Sequence, residues 1–144
     1  MKTATKNNFT DKEIKAVIQA HFPDDIVTEI IPLTGGTFNT IYQVNGTGAL
    51  KSGVILKTGP GEGVEVTEHE KDILKTEVYS YKMMEGKKIP VPRVYAYDFS
   101  RTILPCDYFL MERMEGDTWF EHWPIRDAGL MRALGKYTAR MHSV

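Results

Sequence analysis

Residues 33–57 read LTGGTFNTIYQVNGTGALKSGVILK, and the fold is decided by how this stretch folds back on itself. Ile41, Tyr42 and Val44 form one short run rich in β-branched and aromatic residues, and Val54, Ile55 and Leu56 form another. Each run is bounded by Gly or Asn, the punctuation of strands joined by turns. Two antiparallel hairpins follow, the last strand ending on Lys57. Gly35 and Gly36 remove two Cβ atoms from the tip of the first hairpin, so its backbone N–H groups are free to approach a ligand, and phosphate oxygens suit such donors. An ordinary hairpin turn has the same composition, and both readings stand at this point.

Working outward, Ile26 to Ile31 reads as a first strand, closed by Pro32. Before it, Thr10 and Glu13 form a capping box, and Ile14, Val17 and Ile18 recur on one face of a short helix expected to pack at the edge of the sheet, with His21 at its boundary. Beyond Lys57, Thr67 and Glu70 make a second capping box for a helix running to about Met84, with Gly86 at its C-terminus. Glu77 is out of place in that helix. Ile73, Leu74, Tyr81 and Met84 share its face, and a carboxylate taken out of water needs a cation. Strand alternation puts Lys57 on the same face as Ile55, which makes it the candidate partner. The alternative is that Glu77 reaches water past the edge of the stripe.

Pro90 and Pro92 force an extended entry to a fourth strand, with Val94 and Ala96 expected on one face and Tyr95 and Tyr97 on the other. Tyr108 to Met114 is a fifth strand that turns charged at Glu112 and Arg113 and is released at Gly116. Leu130, Ala133, Leu134, Tyr137 and Met141 then line one face of a last helix, with nothing in the chain left to cover it.

With 18 basic and 19 acidic side chains the formal charge is −1, so neither a nucleic acid nor a membrane surface is the expected partner. Cys106 is the one cysteine and rules out an intrachain disulfide. No apolar run serves as a signal peptide or a membrane span, and a soluble cytoplasmic protein is expected. The four histidines and one cysteine are too scattered for a metal site.

Five strands, a Gly-rich turn, a strand-ending lysine, a helix with an inward glutamate and a strand leading into a linker make the order of a kinase small lobe. In detail the chain resembles the aminoglycoside phosphotransferase family of the protein-kinase-like fold. The family turn GG-x-x-N-x-x-Y-x-V is matched by Gly35, Gly36, Asn39, Tyr42 and Val44. Its V-L-K strand is matched by Ile55, Leu56 and Lys57, and its helical glutamate by Glu77. The PVPRV segment stands at residues 90–94, and Y-F-L-M-E-x-x-x-G at residues 108–116.

The resemblance implies an α+β fold: a kinase-like N-terminal lobe with a five-stranded antiparallel sheet and packed helices over residues 1–116, including the hinge, then the start of a helical C-terminal lobe over 117–144. It implies ATP with Mg²⁺ as cofactor. Lys57 would hold the α- and β-phosphates with Glu77 fixing its ammonium, and the backbone of Gly35, Gly36, Thr37, Phe38 and Asn39 would cover the phosphates. Ile41 and Ile55 would face the adenine, Met111 would back its pocket, and Glu112 and Met114 would offer backbone groups to the adenine edge. The family moves the γ-phosphoryl of ATP to a substrate hydroxyl. Its catalytic H-x-D-x-x-x-x-N segment does not occur here, since His142-Ser143-Val144 carries no aspartate. The 144 residues alone are therefore expected to be inactive, the acceptor being bound by the absent lobe. The alternative is a non-catalytic binding or assembly module, a homo-oligomer formed through the apolar face of the last helix.

Overall fold

A computed structural model describes residues 7–33, 39–61, 72–122, 124 and 127–144. One antiparallel sheet runs through it in the order β1-β2-β3-β5-β4. Its strands are β1 (Val27–Leu33), β2 (Thr40–Gly46), β3 (Val54–Thr58), β4 (Val94–Asp98) and β5 (Tyr108–Glu112). The two expected hairpins are present: β1 pairs with β2, and β2 pairs with β3. Pro32 does not close β1 but lies inside it, opposite Tyr42. β1 is an edge strand, where a proline is tolerated because alternate backbone nitrogens face away from the neighbouring strand.

Helix α1 (Asp11–His21) starts at its capping box, with Thr10 Oγ1 accepting from the Glu13 amide and Glu13 accepting from the Thr10 amide at 2.7 Å. Its location corrects the expectation of an edge helix. Ile14, Val17 and Ile18 form one buried cluster with Val44, Val54, Leu56 and Leu110 from three strands, so α1 lies across a face of the sheet. Alternation in β2, β3 and β5 creates an apolar strip too wide for an edge to cover. Each of these side chains contributes roughly 1.5–3 kcal/mol by burial. His21 ends the helix and bonds the Tyr108 hydroxyl at 3.0 Å.

The opposite face carries α2 (Ile73–Met84), whose Leu74 and Val78 pack on Phe109. The expected Thr67–Glu70 capping box lies outside the described residues, while the C-terminal end is as expected, with Gly86 in a left-handed conformation (φ 75°). Lys82 sits 4.5 Å above the Tyr97 ring and Lys75 5.8 Å above that of Phe99. These cation–π contacts fasten one side of α2 along β4.

β4 departs from simple alternation. A register shift between Val94 and Ala96 sends Val94 to the α2 face with Met111 and Ala96 to the α1 face. Tyr95 meets Phe22 of the α1 side, whereas Tyr97 stacks beside Phe99. A bulge inserts one residue and resets which side chains share a face, so the expected Val94/Ala96 and Tyr95/Tyr97 pairs are split.

Beyond β5 a short 3-10 turn (Trp119–His122) precedes α3 (Ala128–Met141), capped by the Asp127 carboxylate on the Leu130 amide at 2.8 Å. Leu130, Leu134, Tyr137 and Met141 are exposed, as the unmatched apolar stripe implied. Arg140 donates to the Lys88 carbonyl at 3.0 Å. No helix among the described residues is long and apolar enough to cross a membrane.

Candidate functional site

Lys57 is the next-to-last residue of β3, with Ile41 of β2 on one side and Phe109 of β5 on the other. Ile55, one rung back on the same face, pairs with Met111. The lysine thus rises from an apolar surface made by Ile41, Ile55, Phe109 and Met111. Glu77 descends onto it from α2. The Lys57 ammonium lies 2.6 Å from Glu77 Oε2 and 2.8 Å from Oε1, and the two side chains are only 16% and 22% exposed. This decides between the two sequence readings: Glu77 turns to the lysine rather than to water. Short, charge-assisted bonds of this kind stabilise a partly buried pair that would otherwise lose hydration.

Two side chains complete the arrangement that sequence reasoning did not assign to the site. Tyr81, one turn after Glu77, donates its hydroxyl to Glu77 Oε1 at 3.1 Å. Burial pushes the Tyr81 hydroxyl up to about 12, and the Glu77 charge and the hydrogen bond to it act in the same direction. Phe109 lies under both, its ring 6.0 Å from the Lys57 nitrogen and 6.4 Å from the Tyr81 ring. The sequence places Tyr81 one helical turn after Glu77 and Phe109 in alternation with Met111, but both spacings also suit plain core residues.

Asn39 opens the way into β2, and its side-chain carbonyl is buried with no hydrogen-bond partner among the described residues. A buried acceptor left open costs free energy unless a donor arrives. Gly35, Gly36, Thr37 and Phe38 lie outside the described residues. Glu112 ends β5 and is tied to the strand entry, its amide donating to the Arg93 carbonyl at 2.8 Å and its carboxylate accepting from the Arg93 amide at 3.1 Å. Met114 follows and is largely exposed. The structure therefore brings Ile41, Ile55, Lys57, Glu77 and Met111 onto one surface and sets Glu112 and Met114 at its exit. Among the described residues, no three His, Cys, Asp or Glu side chains are placed to hold a metal.

Residues 29–144 match the family model of the phosphotransferase enzyme family. The chain belongs to that family. A 2.32 Å crystal structure of a protein assigned as an aminoglycoside phosphotransferase, from Ralstonia eutropha JMP134, superposes with a TM-score of 0.69 at 15% identity. The match covers 95% of the present chain and 39% of the crystallised one. At that identity the likeness shows the fold, a kinase-like N-terminal lobe, and the phosphotransferase-family chain spans well under half the length of that relative. No curated protein sequence matches it.

Proposed function

We propose that this chain is the nucleotide-binding part of an ATP-dependent phosphotransferase acting on a small-molecule hydroxyl. The Lys57–Glu77 pair, set on an apolar surface, is the observation that carries the reading. The residues fit such a ligand: Ile41, Ile55 and Met111 give an apolar contact for a base, Lys57 a held cation for phosphates, and Asn39 a buried acceptor with no donor among the described residues. Glu77 holds the Lys57 ammonium between α2 and the sheet through both carboxylate oxygens, so the charge is already in place when phosphates arrive. Glu112 and Met114 would offer backbone groups to the base edge. When bound, Mg²⁺ neutralises phosphate charge.

Residues 1–116 form the nucleotide half with its hinge, and residues 117–144 begin a helical lobe that binds the acceptor. The chain alone binds nucleotide without transferring phosphate, because the H-x-D-x-x-x-x-N segment is not within it. A reducing cytoplasm suits the buried thiol of Cys106. Backbone NMR titration with ADP tests the reading. Amides at residues 39–41, 55–57 and 111–114 should shift together; shifts confined to other surfaces would contradict it.

The exposed stripe of α3 favours a second reading, an assembly module that self-associates through Leu130, Leu134 and Met141. A monomer at high concentration by sedimentation would eliminate it.

A further inference from the structure

Glu77 is held from two sides. Lys57 contacts both of its oxygens, at 2.6 and 2.8 Å, and the Tyr81 hydroxyl takes Oε1 at 3.1 Å. An ammonium on a flexible stem imposes little direction on a carboxylate, since Lys acts as a compact point charge with rotatable donors. A phenol hydroxyl on a packed ring does impose one. The Tyr81 ring is partly buried and leans on Phe109 at 6.4 Å, while Phe109 is fully buried and sits directly across the sheet from Lys57. Lys57, Glu77, Tyr81 and Phe109 thus close a ring of contacts in which α2 and the sheet fix one another.

We propose that Tyr81 is a positioning residue: its hydroxyl fixes the Glu77 carboxylate, so that Lys57 is held in its phosphate-facing position before any ligand binds. The inference rests on the nucleotide-binding reading for its purpose, but the hold on Lys57 is a property of the free protein. A tyrosine hydroxyl keeps its proton throughout the neutral range, and burial first, then Glu77, raises that of Tyr81 further. Nothing else on α2 among the described residues donates to Glu77.

The test compares wild type with Tyr81→Phe, which keeps the ring and removes only the hydroxyl. Tyr79→Phe is the control, because Tyr79 is on the same helix and 66% exposed. The rate at which an amine-reactive reagent labels Lys57 at neutral pH, read by mass spectrometry on the ligand-free chain, reports how firmly the ammonium is held. Tyr81→Phe should raise that rate about three- to tenfold, an order-of-magnitude expectation for losing one net hydrogen bond at a partly exposed site, and Tyr79→Phe should leave it unchanged. In a Glu77→Gln background, Tyr81→Phe should add little, which separates action through Glu77 from simple packing. ADP should then bind Tyr81→Phe several-fold more weakly while adenosine binds equally.

An unchanged Lys57 labelling rate in Tyr81→Phe overturns the positioning role whatever ADP does. So does an equal acceleration with Glu77→Gln already present. Faster labelling with no ADP binding to wild type overturns the nucleotide reading and leaves Tyr81 as the residue that holds the pair.

Discussion

Lys57 on β3 and Glu77 on α2 stand 20 residues apart in the chain and meet at 2.6 Å, with the Tyr81 hydroxyl behind them. An ion pair with both partners mostly withdrawn from water adds little net stability, yet losing one partner strands the other. Glu77→Ala should therefore destabilise the chain by about 1–3 kcal/mol, less than for a fully buried pair because water still reaches both groups. Lys57→Met combined with Glu77→Leu should recover most of that loss. Urea unfolding of the single and double variants checks both, and a double variant as unstable as the sum of its parts would contradict the account.

Two groups, the partly buried Tyr81 of this site and the buried Cys106 of the cluster under α1, give the chain an alkaline weakness. Tyr81 is pushed up to about 12 and Cys106 to about 11, in both cases chiefly by burial. A group whose pKa is raised on folding keeps its proton in the native state and releases it on unfolding. Its contribution to stability is full below the unfolded pKa and is lost as pH rises through the folded value. For Tyr81 that window runs from about 10 to about 12. Thermal unfolding between pH 8 and 12 should show a steady fall in Tm above the ordinary tyrosine range, shallower in Tyr81→Phe. An unaltered slope in that variant would show that other groups carry the effect.

Much of this site was legible before the structure. Strand alternation put Lys57 beside Ile55 on one face, and helical spacing put Glu77 in an apolar stripe, which together left few places for the charge to go. Three features were not. Alternation assumes an unbroken pleat, so the bulge that separates Val94 from Ala96 left no mark in the pattern. Amphipathicity shows that Ile14, Val17 and Ile18 are buried but not on what, so α1 was expected at an edge although it spans a face. The Tyr81 ring fitted the apolar stripe, and its hydroxyl acquired meaning only when Glu77 was seen bonded to it.

Gly46 marks the end of the first hairpin. A Cβ there would collide with the Ile26 carbonyl and crowd Leu50, at the place where the Thr47 amide and hydroxyl bind Ile26. Backbone cannot yield as a long side chain does. Gly46→Ala should cost about 1–3 kcal/mol by overpacking, seen as a lower urea midpoint; a midpoint within error of wild type would contradict the packing described.

The uncovered stripe of α3 makes a different prediction. Leu134 is 53% exposed and Met131 54%, so Leu134→Lys should change stability by no more than about 0.5 kcal/mol. It should nevertheless reduce self-association and hydrophobic-dye binding. Sedimentation of both proteins over a range of concentrations reads this directly, and a large loss of stability would show that Leu134 is packed in solution.

The central claim, that Lys57 is a held cation for nucleotide phosphates, is tested most directly by calorimetric titration with ADP and with adenosine in the presence of Mg²⁺, on wild type and Lys57→Ala. ADP should bind more tightly than adenosine, and Lys57→Ala should erase that difference, a change of about tenfold or about 1.4 kcal/mol. Adenosine binding should survive on Ile41, Ile55 and Met111. ADP binding that Lys57→Ala leaves intact, or no binding up to millimolar nucleotide, would contradict the account.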